Sequence, residues 1–341
     1  MKICPLNLKQ KLYTTAAVDN IDHNPTSTTS QKSFHGTGVS IFQHPCRPDD
    51  GVEQTTASVT FCDDERTDHV LKDFLNVNLD VPFIKRGPNG ITVSYKSDET
   101  FNKYTHEEMS WTQEVGNEVS SPKGAHVSWS SHHAKNSEVA QAKSISAMLP
   151  LIDEKSTHHG TIKHVMDNVS SITSLLSPEQ QMSILAADQP VYTVAKQIQW
   201  AWPDLYRKDK FFILMGGLHI EMKIMEALGL LLEGTGWIQC LAKADICGPG
   251  TADSFLTVAH VKRSRYAHEV TAACLGILQM ECFETATECR EKDQEYAEWK
   301  RAQAQRQSMF FFWSLILDLQ TVLLSFLRST RTGNIEAYIE M

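Results

Sequence analysis

The sequence has no surplus of basic charge. Of its 341 residues, 32 are Lys or Arg and 41 are Asp or Glu, a net charge of −9, so no chain-wide field draws it to phosphates and any nucleic-acid contact must be local. Its eight cysteines, at positions 4, 46, 62, 240, 247, 274, 282 and 289, include no C-x-x-C pair. They read as reduced thiols of an intracellular protein rather than as a disulfide framework. The amino terminus, MKICPLNLKQKLYTTAAVDN, lacks the unbroken apolar run and cleavage site of a secretory signal, so the chain is not expected to be secreted. Neither G-x-G-x-x-G nor G-x-x-x-x-G-K occurs, which leaves nucleotide cofactors without a phosphate cradle. G-x-S-x-G and H-E-x-x-H are absent too, removing the hydrolase classes that depend on them. There is no internal repeat and no low-complexity tract.

What is there suits a large core: 41% of residues are hydrophobic and 21% charged, with a mean hydropathy of −0.29. One run, Met309 to Leu327, is long enough to span a bilayer. Its centre carries Asp318 and Gln320, and an acid at mid-bilayer costs about 3 kcal/mol on insertion scales. The run is therefore expected to be a buried helix, with a partner-binding face as the alternative and a membrane span disfavoured.

Apolar patterning divides the chain into four stretches. In 1–44, LYTTAAV from Leu12 to Val18 reads as a strand ending at the polar run Asp-Asn-Ile-Asp-His-Asn-Pro, and SFHGTGVSIFQH suggests a hairpin partner. Residues 45–144 are rich in Asp, Glu, Ser, Thr, Asn and His and are expected to be a polar, partly disordered insertion. In 145–233 order returns. Ile162, Val165, Met166, Val169, Ile172, Leu175 and Leu176 fall at helical spacing. Two strand-helix units follow, MSILAA with Asp188-Gln189-Pro190 and its helix, then FFILM with Gly216-Gly217 and a helix striped by Ile220, Ile224, Ala227, Leu228 and Leu231. Consecutive strand-helix units imply parallel strands. From 234 to 341 strand signals vanish and a helical region is expected.

Acids stand at particular joints: Asp19 after the first strand, Asp188 after the fourth, and Glu221 in the first turn of the helix after the fifth. That layout points to a ribonuclease-H-like mixed sheet, in which the first and fourth strands are parallel neighbours and their carboxylates converge. Three carboxylates could bridge two divalent cations, Mg2+ or Mn2+, about 3.5–4 Å apart for phosphodiester cleavage or strand transfer. Simpler roles compete at each position. Asp188 could be a plain helix cap, Asp19 and Asp22 parts of an Asx turn, and Glu221 a carboxylate favoured by the helix dipole. His219 is an auxiliary ligand or proton carrier if it is not structural. Lys262, Arg263 and Arg265 form a basic cluster that could touch DNA or simply solvate a helix face.

The stretches carrying these residues resemble a known family: uncharacterised animal proteins that look to be encoded by transposable elements. The matching segments are TTAAVDNIDHNPTSTTSQKSFHGTGVSIFQHP at 14–45, DQPVYTVAKQIQWAWP at 188–203, FFILMGGLHIEM at 211–222 and GTGWIQCLAKADICGPGTADSFLTVAHVKRSRYAHEVTAA at 234–273. HVSWSSHHAK matches more weakly. The resemblance implies a transposase-type core with Asp19 and Asp188 as the acids of the VDN and DQP motifs, and His219 and Glu221 in GGLHIEM. Family members extend beyond this sequence at both ends, so it is expected to be a truncated piece, lacking DNA-binding modules and even the true third acid.

The leading expectation is thus a metal-dependent DNA nuclease or transposase core, degenerate or truncated, nuclear if it acts on DNA. A non-enzymatic scaffold engaging a partner through 309–327 is the second, and a membrane anchor through that same run the third.

Overall fold

The computed structural model describes residues 3–23, 34–45, 49–54, 71–82, 98–119, 128–136, 143–288 and 295–341. Its elements begin with strands β1 (Lys9–Gln10), β2 (Thr14–His23), β3 (Phe34–Gln43) and β4 (Val52–Glu53), then helices α1 (Asp98–Val119) and α2 (Trp129–Asn136). Strand β5 (Ile145–Met148) leads through α3 (His159–Leu176), β6 (Ser183–Ala187), α4 (Gln189–Ala201) and α5 (Pro203–Tyr206) to β7 (Phe211–Met215). The rest is helical: α6 (Gly217–Leu232), α7 (Trp237–Lys243), α8 (Pro249–Leu256), α9 (Val261–Glu288), α10 (Tyr296–Arg306), α11 (Ser308–Thr332) and α12 (Ile335–Glu340). The protein is mixed α/β with a helical carboxyl-terminal region.

The chain makes two compact units, one from Met1–Thr92 and Gln141–His219, the other from Val93–Ala140 and Ile220–Met341. In the first, a five-stranded sheet runs in the order β5-β3-β2-β6-β7. β2 pairs antiparallel with β3 and parallel with β6, and β7 extends the parallel side. Alternation dictates one buried face: Ala16 and Val18, Val39 and Ile41, Leu185 and Ala187, Phe211 and Ile213 all point inward. Helices α3 and α4 cover that face with Ile162, Val165, Met166, Val169 and Ile172, and with Val191, Ala195 and Ile198. Each such side chain contributes roughly 1.5–3 kcal/mol on full burial. In α3, Gly160 lies where a Cβ would stand 2.4 Å from the Asn78 carbonyl oxygen, so only glycine lets that helix approach the 78–79 segment.

β2 does not stop at Val18. It continues to His23 because β3 stays paired with it for ten residues, Thr14↔Gln43 to His23↔Phe34, although β6 ends at Ala187. Asp19 is therefore a strand residue opposite Gly38 rather than part of a turn.

The second unit draws on the stretch expected to be an insertion. Helix α1 packs against α9 and α11. Its buried side chains, Tyr104, Thr105, Glu108, Trp111 and Thr112, follow a helical spacing built largely from polar residues. Arg328 donates to Glu108 through Nε at 2.7 Å, and Ser325 Oγ donates to the same carboxylate at 2.8 Å. In α2, His132 pairs with Glu114, and Arg331 lies over the Trp129 ring at 4.7 Å.

Helix α6 buries Glu221, Met225, Leu228, Gly229 and Leu232, a stripe offset from the expected one; Ala227 and Leu231 are exposed. The helix is apolar on most sides, so periodicity alone does not select the buried face. Gly229 does, because a Cβ there would come within 2.3 Å of the Leu256 carbonyl oxygen. α11 is, among the described residues, the one helix long and apolar enough to cross a membrane, and 56% of that window is buried inside the protein. Asp318 in it takes a 2.5 Å bond from Lys300, and fully buried Gln320 faces His268.

Candidate functional site

The site is built around Asp19, within β2, and the carboxyl ends of β6 and β7. The parallel register runs Thr15↔Ile184 through Val18↔Ala187. Asp188 keeps extended backbone angles, φ −66° and ψ 171°. Asp19 and Asp188 are thus the residues that directly follow the last paired positions of two neighbouring strands, which lie about 4.8 Å apart. Asp19 follows buried Val18 in the strand alternation and is exposed, whereas Asp188 is half-buried at the amino terminus of α4. The carboxyl ends of parallel strands are where open α/β sheets bind ligands.

The two acids are held differently. Asp19 is exposed, and its Oδ1 accepts the Asn20 N–H at 2.8 Å. Asp188 caps α4, its Oδ1 accepting the Val191 N–H at 3.0 Å, with Pro190 in the first turn. The cap uses one carboxylate oxygen, so capping and ligand binding are compatible. Beside them, the Gly216 N–H donates to the Ala187 carbonyl at 2.6 Å. A Cβ on Gly216 would stand 3.3 Å from that carbonyl and 3.5 Å from the His219 ring. His219 thus belongs to the turn that abuts the Asp188 joint. Asp22 is in β2 opposite His35, and its side chain lies outside the described residues.

Glu221 is committed elsewhere, inside the second unit. Arg265 Nε donates to Oε1 at 2.7 Å and Nη2 to Oε2 at 2.8 Å, with the Glu221 side chain only 5% exposed. This hydrogen-bonded pairing raises the Arg265 pKa above its ordinary value. One contact accounts for two of the sequence candidates: the expected third metal ligand and one of the expected DNA-contacting cations satisfy each other. Burial pushes the neighbouring Glu269 carboxyl up, while Arg331 and Arg265 pull it down.

Lys262 and Arg263 remain on the exposed face of α9 and have no ion-pair partner among the described residues. With Tyr266, Asp245, Gly248 and Thr251 they line a cavity of about 480 Å3 floored by Phe255 and Ile246. Sequence reasoning passes over Tyr266; its signal is an aromatic residue directly after the basic run KRSR.

Among the described residues, no group of three or more His, Cys, Asp or Glu side chains could hold a metal ion. A two-metal centre with Glu221 as third ligand therefore does not fit. Mg2+ in general makes a smaller demand than a two-metal centre, being commonly held by one or two carboxylates, waters and substrate phosphates. Five described cysteines, Cys4, Cys240, Cys247, Cys274 and Cys282, are free thiols.

Residues 128–310 match the model of a domain of unknown function, DUF8702. The chain belongs to that family. The matched span contains Asp188, His219, Glu221 and the basic cluster, and leaves Asp19 outside it. No curated protein and no solved structure matches the chain.

Proposed function

We propose that this DUF8702 protein carries a ribonuclease-H-like core of transposase type, derived from a transposable element and acting on DNA phosphodiesters. The observation that supports the reading is the β2–β6 register, whose last pair, Val18↔Ala187, immediately precedes Asp19 and Asp188. Support also comes from the sheet order, with the first strand central between an antiparallel second and a parallel fourth. In this reading Asp19 and Asp188 hold a single Mg2+ or Mn2+, and His219 stands beside them. The metal, when bound, would polarise a phosphoryl oxygen and lower the pKa of a bound water. Glu221 has no part in it.

The test is calorimetric titration of Mn2+ into the wild-type chain, Asp19→Asn and Asp188→Asn. Binding that is present in the wild type and lost in both variants is expected. A wild-type chain that binds no Mn2+ would sink the catalytic reading.

The commitment of Glu221 to Arg265 favours a second reading, in which the fold persists as a non-enzymatic scaffold. Its partner surface would include the amino-terminal end of α11, where Met309 and Phe311 are 66% and 54% exposed. Under that reading both Asp variants leave metal affinity and function unchanged.

A further inference from the structure

We infer that the cavity between α8 and the start of α9 is a nucleotide pocket that grips one phosphate of single-stranded DNA and stacks the attached base on Tyr266. The inference rests on the proposed action on DNA for its choice of ligand, but it names a place on the molecule separate from Asp19 and Asp188.

Three observations converge there. First, Lys262 and Arg263 both line the cavity, both are exposed, and neither is neutralised by an ion pair among the described residues. Arg265, two residues on, shows what this chain does with a structural cation: it buries it against a carboxylate. Leaving two adjacent cations unpaired at the mouth of a recess suits a mobile anion. An Arg in particular offers a fork of N–H groups matched to phosphate oxygens.

Second, the opposite wall has donors and room. Gly248 is the N-cap of α8 without a side-chain cap; Pro249 has no N–H and the Thr251 N–H donates to the Gly248 carbonyl at 2.9 Å, which leaves the Gly250 N–H as the first-turn donor available among the described residues. Neither Gly248 nor Gly250 would have any atom within 4 Å of an added Cβ, which means the approach to that turn is open. Thr251 adds a hydroxyl on the same wall.

Third, the recess has an aromatic face. Tyr266 is 54% exposed and lies one helical turn after Lys262 on α9. With Phe255 and Ile246 below, it gives an apolar surface next to the cations. Cation, open donors and an exposed ring within about 480 Å3 form the combination that binds single strands: charge for the backbone and a platform for the base. A duplex presents its bases edge-on and could not use the ring. Asp245, with a left-handed φ of 58°, is the acid on the wall and leaves the pocket at a net charge of +1.

The experiment is fluorescence anisotropy of a labelled thymine 12-mer with the full chain in excess chelator, so that metal binding plays no part. Wild type is compared with Lys262→Ala/Arg263→Ala, Tyr266→Ala and Asp245→Asn. Loss of the two cations is expected to weaken binding and flatten the log K against log salt slope by about 1.4, the value for two phosphate contacts on a single strand. Tyr266→Ala is expected to weaken binding roughly tenfold with the slope unchanged. Asp245→Asn should tighten it.

The pocket assignment is overturned if the wild type fails to bind the oligonucleotide, or binds it equally well after the Lys262/Arg263 and Tyr266 substitutions. It is also overturned if thymidine monophosphate competes at the same concentration as the strand, since the site would then be one for free nucleotide. Oligonucleotide binding with this pattern, alongside absent Mn2+ binding, would retain the pocket and remove only the catalytic reading.

Discussion

Arg265 holds Glu221 through both carboxylate oxygens, with donor distances of 2.7 and 2.8 Å, on a side chain only 5% exposed. The pair links α6 to α9 from the same side of α6 on which Gly229 meets Leu256. Removing one partner strands the other, which in buried pairs costs about 3–5 kcal/mol, whereas replacing both with apolar groups of similar size is often neutral. Arg265→Ala should therefore lower the urea midpoint sharply. Glu221→Leu/Arg265→Met should recover most of the loss, and metal affinity should not follow either change.

Asp188 has two duties that can be separated. Asp188→Asn keeps an oxygen for the Val191 N–H and removes the charge, so stability should change little while Mn2+ affinity falls. Asp188→Ala removes the cap as well and should cost about 1 kcal/mol in addition. Equilibrium denaturation and calorimetry on the two variants check this. Equal stability of both would show that the cap contributes nothing.

His268 sets a pH dependence. It is fully buried, stacked on Trp237 at 5.1 Å, and burial lowers its pKa from 6.5 to about 4. The unfolded chain takes up this proton first, so the contribution is complete above pH 6.5 and is lost as pH falls from 6.5 towards 4, by roughly 3 kcal/mol. Burial also lowers the pKa of His133, to about 4, which adds a loss of the same sign. The stability difference between wild type and His268→Gln isolates the His268 part. That difference should shift against the wild type over this interval; a difference constant with pH would refute it.

Gly229→Ala sets two effects against each other. Alanine improves helix propensity by about 1 kcal/mol. The new methyl would meet the Leu256 carbonyl oxygen at 2.3 Å and its carbonyl carbon at 2.9 Å, a clash with backbone that cannot rotate away. Overpacking of this kind costs about 1–3 kcal/mol, and with backbone as the obstacle the upper part of that range applies. A net loss of about 1–2 kcal/mol is expected in chemical denaturation.

The parts legible in the sequence are those where burial is done by hydrocarbon. The spacing of Ile162, Val165, Met166, Val169 and Ile172 gives α3, and SILAA and FFILM mark β6 and β7. Helix α1 is illegible for a physical reason. Its buried stripe, Tyr104–Thr105–Glu108–Trp111–Thr112, has the helical spacing, yet Glu108 is buried because Arg328 and Ser325 satisfy it, and those residues are more than 200 positions away. Hydropathy sees a polar segment because the compensating groups are remote in sequence. The fate of Glu221 is hidden in the same way: its partner is 44 residues distant. The cap on α4 is the opposite case, since Asp188 and the Val191 N–H that it accepts are three residues apart.

Each unit is assembled from two separated pieces of chain, with crossings after Thr92, Ala140 and His219. During synthesis this imposes an order. The sheet unit can close once β7 has left the ribosome, but α1 and α2 have been made long before and their partner α11 is still to come. About 120 residues separate Ala140 from the start of α9, the first helix that packs on α1, which is roughly 6–24 s of translation. Through that interval Trp111 lacks the α9 side of its core. The polar dress of α1, which hides it from hydropathy, is also what keeps the nascent segment soluble while it waits.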